Sequence, residues 1–269
     1  MNLLLRQKSI FITHIRTFKA LYILTIVTFF CSVALFAEGI IGIIKDPDGF
    51  TLVRSGQGKE FNVVDTLFAD DIFDLQFINH SDWASVSIWK GKKIEGFVHK
   101  SSIQEVEKLD PKNQKLLISK ILDKHRILAG HFQKVMTERD SLAIMAAIQE
   151  LEYHSDTKYD PILSIIPKYV CITKDTEILD LLFATIWADR GSANEMPSFA
   201  IGSCFVCNPN LVIKQLTKIQ NNEQKKILFD NIEWGLLNHF NIDNNGNPNN
   251  KEFRKFKGLL DSERNKFGL

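Results

Sequence analysis

The stretch that decides the fold runs from Asp46 to Gly56 and reads DPDGFTLVRSG. It places a rigid polar turn directly before a short apolar segment. Pro47 fixes φ at one position of the turn, and Gly49 supplies the positive φ that such a turn requires. Residues 50–54 then alternate between the two sides of an extended chain. The stretch therefore predicts a tight turn that enters a β-strand, and the strand ends in an irregular loop at Ser55.

Further short strands are predicted on both sides of this stretch. They are the segments 39–44, 61–67, 72–77, 83–89 and 94–98, which are rich in β-branched and aromatic residues. Residues 90–93, KGKK, have the composition of a hairpin tip. Roughly five to seven short strands at close spacing, without helical periodicity, predict a small β-barrel over residues 38–106.

Several motifs in this region follow one another in the order found in a known family. They are Val53-Arg54-Ser55-Gly56, the segment 61–67, Asp82-Trp83, and Gly96-Phe97-Val98-His99. Over residues 40–105 the chain resembles the bacterial Src-homology-3-type (SH3b) family. It departs from the family pattern at Gln57, where a proline is usual, and at Phe97, where a tryptophan is usual. The resemblance implies an SH3-like barrel that binds cell-wall peptides or short protein segments.

The candidate ligand-binding residues of this barrel are Phe50, Arg54, Trp89 and Lys92. Trp89 is the aromatic residue best placed for a surface groove, because it lies beside the basic hairpin tip that contains Lys92. Aromatic side chains also form the core of so small a barrel. We therefore expect the other large aromatic residues, Trp83 and Phe97, to be largely buried.

Arg54 has two interpretations. Its guanidinium group can line the ligand groove, or it can brace the loop that follows the strand, with Asp65 or Asp70 as the acceptor. Bracing a turn is the commoner use of such an arginine, and we expect it here.

The character of the sequence changes at Asp110-Pro111, where an aspartate cap and a proline at the first helical position start a helix. Apolar residues at helical spacing then recur in the segments 112–129, 140–153, 173–189, 209–219, 223–240 and 251–266. About six to eight helices predict an α-helical bundle or helical-repeat-like domain over residues 110–269. The first helix is predicted to end near Ala129, between His125 and His131. The whole chain is predicted to be an α+β, two-domain protein.

The first 37 residues have the pattern of an export signal. Basic residues precede an uncharged apolar run, residues 20–37, which ends in Ala37. We predict a signal peptide cleaved after Ala37. The alternative is an uncleaved inner-membrane anchor formed by residues 20–37. Both place the rest of the chain in the periplasm or at the cell surface, because the basic end stays inside.

Cysteine chemistry is the first catalytic possibility to weigh. Cys204 and Cys207 have CxxC spacing, which suits a redox pair or half of a zinc site, but no second pair or thioredoxin-like context accompanies them. We expect buried structural cysteines or one disulfide through Cys171. A cysteine nucleophile is the alternative. We predict no cofactor, since no glycine-rich phosphate loop is present.

A weak calcium-loop candidate lies between the last two predicted helices. Aligned from Asn241, the residues Asn241, Asp243, Asn245 and Glu252 offer oxygen ligands at EF-hand positions, with Gly246 at the turn. Only two of them carry charge. We prefer the interpretation of a solvated, asparagine-rich connector.

The near balance of 33 basic and 32 acidic residues argues against a nucleic-acid binder. The sequence predicts an exported, non-catalytic binding protein whose barrel recognises a short protein segment or cell-wall peptide. The helical domain would add a second interaction surface, as in an immunity or inhibitor protein, and membrane contact would come only through the N-terminal segment. The alternative is a cell-wall hydrolase with the barrel as its targeting domain. A cysteine in an open cleft beside a histidine would favour the hydrolase, and buried cysteines would favour the binding protein.

Overall fold

The computed structural model describes residues 39–69, 71–242 and 250–269. The predicted export signal, residues 1–37, lies outside the described residues, and so do Asp70, Asp243 and Asn245. Strands come first in the described chain and helices follow, which confirms the α+β class.

The strands form one antiparallel sheet. They are β1 Ile40–Ile44, β2 Phe50–Arg54, β3 Val63–Phe68, β4 Ile72–Phe77, β5 Trp83–Trp89, β6 Lys93–His99 and β7 Ile103–Glu105. Each predicted strand is present, and β7 was not predicted. The strand order is β3-β2-β6-β5-β4-β1-β7. Among the described residues β3 and β7 do not pair with each other, so the sheet is not closed.

The turn before β2 forms as the sequence predicts. Gly49 has a φ of +76°, and its N–H donates to Asp46 O at 3.0 Å. The Asp48 N–H donates to Asp46 Oδ1 at 3.1 Å. Val53 is fully buried, and the pairing of β2 with β3 shifts register between Val53 and Arg54. The pairing therefore becomes irregular at the position where the sequence changes from apolar to polar.

The two faces of the sheet belong to different cores. On one face, alternate residues of paired strands pack against one another and form a core of their own. This core includes Ala84, Val86, Ile88, Ile94 and Val98. The other face contributes Ile41 and Ile72 to the core of the helical region. Because side chains alternate along a strand, one sheet serves both cores.

The outer edge of β3 is covered by charged side chains. The Thr66 N–H donates to Asp65 Oδ1 at 2.6 Å, and the Phe68 N–H donates to Asp71 Oδ2 at 2.9 Å. Lys90 donates to Thr66 O at 3.1 Å and to Asp71 Oδ2 at 2.6 Å. The Lys90 and Asp71 side chains are nearly buried, with 12% and 3% exposed.

The helical region follows a 3₁₀ turn at Val106–Lys108. The helices are α1 Pro111–Glu138, α2 Ser141–His154, α3 Asp160–Leu163, α4 Ile166–Thr173, α5 Thr176–Ala188, α6 Met196–Cys207, α7 Pro209–Lys218, α8 Asn222–His239 and α9 Lys251–Lys266. The sequence did not predict α3, α4 or α6. Asp110 caps α1 by accepting from the N–H groups of Lys112 and Asn113, each at 3.1 Å. Among the described residues no single helix is both long enough and apolar enough to span a membrane. The helices α6 and α7 meet these two criteria only when taken together, and a bend of 117° separates them.

The predicted end of α1 near Ala129 is wrong. The helix continues to Glu138 and ends at Arg139, whose φ of 59° is left-handed. Gly130 weakens a helix by about 1 kcal/mol, but burial of Ala129 and Val135 against the rest of the protein outweighs that loss. His125 is therefore fully buried in mid-helix and does not cap a helix end.

Two glycines let α6 and α8 cross in direct backbone contact. A Cβ on Gly235 would lie 2.0 Å from Ser198 O and 2.8 Å from Gly202 Cα. Glycine is the residue that fits such an approach. This crossing holds α6 in position. The loop before α6, residues 189–195, lines the candidate site.

Candidate functional site: an acidic trough beside a π-helical turn

A five-residue π-helical turn, Ser155–Tyr159, joins α2 to α3. Its backbone closes with the Asp160 N–H donating to Ser155 O. Thr157 is buried and its hydroxyl donates to Tyr153 O at 2.6 Å. Such turns are rare and frequently occur at functional sites.

Titratable residues alternate through this turn and its two flanking positions, in the order His154, Asp156, Lys158, Asp160. Residues two apart on a helix do not face each other, whereas residues four apart do. The two aspartates accordingly line one pair of cavities, and His154 and Lys158 line a different one. The turn thus separates an acidic side from a basic side.

The first cavity on the acidic side has a volume of about 450 Å³ and lies between the sheet and α3. Its lining residues are Ile41, Ile72, Phe73, Asp74, Ser87, Ile88, Trp89, Asp156, Asp160, Pro161, Ser164 and Met196. The strands give it an apolar floor, while the π-helical turn and α3 supply its aspartates.

The second cavity on this side has a volume of about 630 Å³ and also includes Asp156 and Asp160. The ends of α1 and α2 and the loop of residues 189–194 complete it. We call the two cavities together the acidic trough. Its carboxylates are Asp74, Glu152, Asp156, Asp160 and Asp189.

Arg190 is the basic residue that lines the trough. Its guanidinium group stacks on the Trp187 ring at 4.3 Å and donates to Trp187 O at 3.0 Å. These contacts hold it on its own helix end. The charge of the trough is therefore strongly negative.

Burial perturbs the acids of the trough. Burial raises the pKa of Asp156, Glu152 adds to this, and a hydrogen bond from Trp89 partly offsets it. Burial also raises the pKa of Asp160, although Asn194 Nδ2 donates to its Oδ1 at 2.7 Å. The pKa of Asp74 is raised by burial and partly lowered by Lys93. Carboxylates that lose hydration in this way gain from a cationic ligand.

A buried polar pair lies beneath Asp160 and Asp189. The rings of His125 and Tyr159 stack with centroids 3.5 Å apart, and both side chains are fully buried. Within the described residues the Tyr159 hydroxyl and both His125 nitrogens make no hydrogen bond, although Asp189 Oδ2 lies 3.4 Å from His125 Nε2. Burial raises the pKa of Tyr159 well above its ordinary value, and Asp189 and Asp160 contribute further. These groups add unused hydrogen-bonding capacity below the trough.

Of the predicted ligand-binding residues, Trp89 lies in the trough. It is 49% exposed, it lines the cavity between sheet and helices, and it interacts with Asp156, whose pKa it partly lowers. Phe50 and Lys92 are exposed and line neither cavity of the trough. Phe50 instead pairs with Phe68 across β2 and β3.

Arg54 braces its loop, as expected, but the acceptors differ from those predicted. Its Nη1 donates to the backbone oxygens of Lys59 at 2.9 Å and Phe61 at 2.7 Å. Backbone carbonyls satisfy it because the loop folds back over the strand end. Trp83 and Phe97 were expected to be largely buried and are only half-buried. The smaller Ala84 and Val98 fill the core beside them.

The cysteines form no open catalytic site within the described residues. Cys171 and Cys207 are joined in a disulfide that links α4 to the end of α6, with their Cα atoms 5.9 Å apart. Cys204 is free and buried, and burial raises the pKa of its thiol to about 12. A thiol that does not ionise is a poor nucleophile.

The calcium-loop candidate falls partly outside the described residues, with Asp243 and Asn245. Asn241 has a left-handed φ of 51°, and Glu252 lies in the first turn of α9, capped by Asn250. In the described part of the chain no cluster of three or more His, Cys, Asp or Glu side chains is arranged to hold a metal ion.

Comparison with protein-family models, with curated proteins and with solved structures finds no match to this chain. The resemblance to the SH3b family therefore stays a prediction.

Proposed function

We propose that this chain is an exported, non-catalytic binding protein whose acidic trough holds a short extended segment with a basic group. The segment belongs to a protein or to a cell-wall peptide, and not to a nucleic acid. The observation that carries the proposal is the position of Trp89. A half-exposed tryptophan beside Asp156 offers stacking to an amine or guanidinium group, and the carboxylates of the same cavity offer the opposite charge.

The strand region is, in this proposal, a divergent SH3-type module. The order of the motifs supports it, as does the register shift at Val53 where the loop braced by Arg54 begins. The ligand would lie between the sheet and the helices, beside the module and not on an isolated barrel. The helices would supply Asp156 and Asp160, which is how they add a second contact surface.

The arrangement of cysteines favours binding over a cysteine-dependent cell-wall hydrolase. Two of the three cysteines that follow residue 37 are joined to each other, and the third is buried. An immunity or inhibitor role, in which the trough covers a basic segment of a toxic partner, is a specific form of the proposal. Export rests on residues 1–37, which lie outside the described residues.

The test is capture by the whole chain with point variants. Deleting the strand region would remove Ile41 and Ile72 and so expose the core residues of the helices that pack against them. Single substitutions are therefore more informative. Immobilised wild type, Trp89→Ala and Trp234→Ala are offered purified cell-wall peptides and an array of lysine- or arginine-containing peptides. Trp234 is a matched control, since it is 41% exposed and lines neither cavity of the trough.

We expect wild type and Trp234→Ala to retain the same peptides and Trp89→Ala to lose them. Retention of peptides without basic groups in equal amounts would argue against the acidic trough as the site. Equal retention by all three proteins would show that Trp89 takes no part, and the proposal would then be wrong.

A further inference from the structure

A third cavity lies on the basic side of the π-helical turn, between that turn and α1. Its volume is about 440 Å³, which is in the range of small-molecule sites. Its lining residues are Leu117, Lys120, Ile121, Asp123, Lys124, Ile127, His154 and Lys158. We call it the basic cavity.

One stripe of α1 provides most of this lining. Leu117, Ile121 and Lys124 are spaced by four and three residues, and Lys120 and Ile127 extend the same face, so the side chains are neighbours on the helix surface. Ile121 is buried, whereas Ile127 remains 53% exposed. The stripe therefore combines an apolar floor with lysines whose long side chains reach its rim.

The lining charges are mostly positive. Lys120, Lys124 and Lys158 contribute to the cavity, against Asp123 alone. Asp123 accepts from Arg126 at 2.7 Å, so its charge is already engaged by an arginine outside the lining. Lys124 also contacts Glu150 at 3.1 Å on the exposed side of α2. An anion in the cavity would therefore meet the charge of Lys158 and, in competition with Glu150, that of Lys124.

His154 gives the cavity a hydrogen-bonding group that the protein leaves unused. Its side chain lines the cavity, only 6% of the residue is exposed, and its Nδ1 has no hydrogen-bond partner within the described residues. A buried polar atom without a partner is costly, and such atoms in native structures point to an unseen ligand or water.

The electrostatic surroundings of His154 agree with this geometry. Burial, together with smaller electrostatic contributions from His125, Lys158 and Lys124, lowers the pKa of the imidazole to about 3. The ring is therefore neutral at physiological pH and offers one N–H donor. An anion that accepts this hydrogen bond would also relieve the repulsion between the surrounding cations.

We propose that the basic cavity binds a small anionic amphiphile: a carboxylate or phosphate head joined to a short apolar chain. The head accepts hydrogen bonds from Lys158, Lys124 and His154. The chain lies on Leu117, Ile121 and Ile127. This site is separate from the acidic trough, and its existence does not depend on the peptide-binding role.

The experiment measures binding of octanoate and of octyl phosphate to the full chain by calorimetry. We expect submillimolar binding of at least one, and the stronger of the two identifies the head. Octanol tests the need for charge, and inorganic phosphate tests the need for the chain. Lys158→Gln should weaken binding about tenfold, as expected for loss of one charge-assisted hydrogen bond. Lys134→Gln is the matched control, since Lys134 is an exposed α1 lysine outside the cavity.

A second readout keeps the test specific to the site. The imidazole nitrogens of His154, assigned by comparison with His154→Gln, should shift in the nuclear magnetic resonance spectrum when octanoate or octyl phosphate is added, but not with octanol. Binding of octanol or inorganic phosphate as tightly as the amphiphiles would overturn the proposal. So would equal affinities of wild type and Lys158→Gln, or an unchanged His154 signal at saturation.

Discussion

The acidic trough and the basic cavity lie on opposite sides of the same five-residue turn and differ in the sign of their charge. Asp156 and Asp160 line the trough, whereas His154 and Lys158 line the basic cavity. The difference shows how little sequence is needed to separate two charge environments in a folded chain. A two-residue offset is sufficient, because it moves a side chain to the other side of a helix.

The π-helical turn also makes the two sites depend on each other. Its buried residues, Thr157 and Tyr159, hold the turn in the core, while its charged residues face outward on both sides. A change in the length of the turn would displace both sets of charges together. A change of one charged residue would affect only its own side.

The largest effect is expected from deleting Ser155. Without this residue a regular helix would rotate α3 by about 100°. The fully buried Tyr159, Ile162 and Leu163 would turn out of the core. We expect the free energy of unfolding to fall by more than about 4 kcal/mol in urea titration.

The matched control is Ser155→Ala, which keeps the length of the turn and should change stability by less than about 0.5 kcal/mol. If the deletion variant were as stable as Ser155→Ala, the π-helical turn would not be what holds the two sides apart.

The next effect concerns the pH dependence of stability on the basic side. The pKa of His154 is lowered to about 3 in the folded protein, below an unfolded value of about 6.5. At a pH below the unfolded pKa, His154 is protonated in the unfolded chain but stays neutral in the folded chain. Stability is therefore complete above about pH 6.5 and falls as the pH falls towards about 3.

A variant without the His154 imidazole should show a weaker dependence of the unfolding free energy on pH. Between about pH 7 and about pH 4.5 the wild type should lose about 2 kcal/mol more than His154→Gln in urea unfolding. The exposed His131 serves as the control, and His131→Gln should behave as the wild type. Parallel curves for all three proteins would contradict the buried, neutral state of His154.

The acidic side should show the opposite sign. The pKa values of Asp156 and Asp160 are raised in the folded protein, so the folded chain binds protons more readily than the unfolded chain. Their contribution to stability increases as the pH falls through the folded pKa values. In the Asp156→Asn, Asp160→Asn double variant, stability measured by urea unfolding should thus fall more steeply on acidification than in wild type.

This double variant also tests ligand binding. It should retain the captured basic peptide about tenfold less tightly at neutral pH. In the wild type the same loss should appear on acidification, and at a higher pH than for ordinary aspartates. A shallower stability curve, or unchanged peptide affinity, would show that these carboxylates are not the charged group of the trough.

The smallest effect is expected for Trp89→Phe. Trp89 is half-exposed, so stability should change by less than about 0.5 kcal/mol. Loss of the indole N–H beside Asp156, and of the larger ring face, should still weaken peptide binding a few-fold. If Trp89→Phe lost stability as Ser155 deletion does, Trp89 would be a core residue and not part of a binding surface.

Much of the fold could be predicted from local patterns. Alternation and turn residues located β1 to β6, and caps such as Asp110 located the long helices. The end of α1 was misjudged because Gly130 resembles a stop signal locally, while the packing that carries the helix past it is tertiary. The helix α6 was missed because it is apolar on nearly all sides and so lacks a helical stripe, whereas α3 and α4 are too short to show helical periodicity.

The candidate site was predicted only at Trp89. Residues 154–160, HSDTKYD, comprise the π-helical turn and one residue on each side. Their alternation of titratable and other residues does not match a helical period, so it predicts a site only once Thr157 and Tyr159 are known to be buried. The pairing of Cys171 with Cys207 across 36 residues likewise follows from the approach of α4 and α6, which sequence spacing does not give.

The covered edge of β3 limits how any ligand can approach the sheet. This strand displays Val63, Val64 and Phe68 to solvent, each about half exposed, and such an apolar margin ordinarily invites another chain to continue the sheet. Here the outward amides of Thr66 and Phe68 are already occupied by their own neighbours. A visiting strand would therefore find these two N–H groups engaged and would pair less readily with this edge.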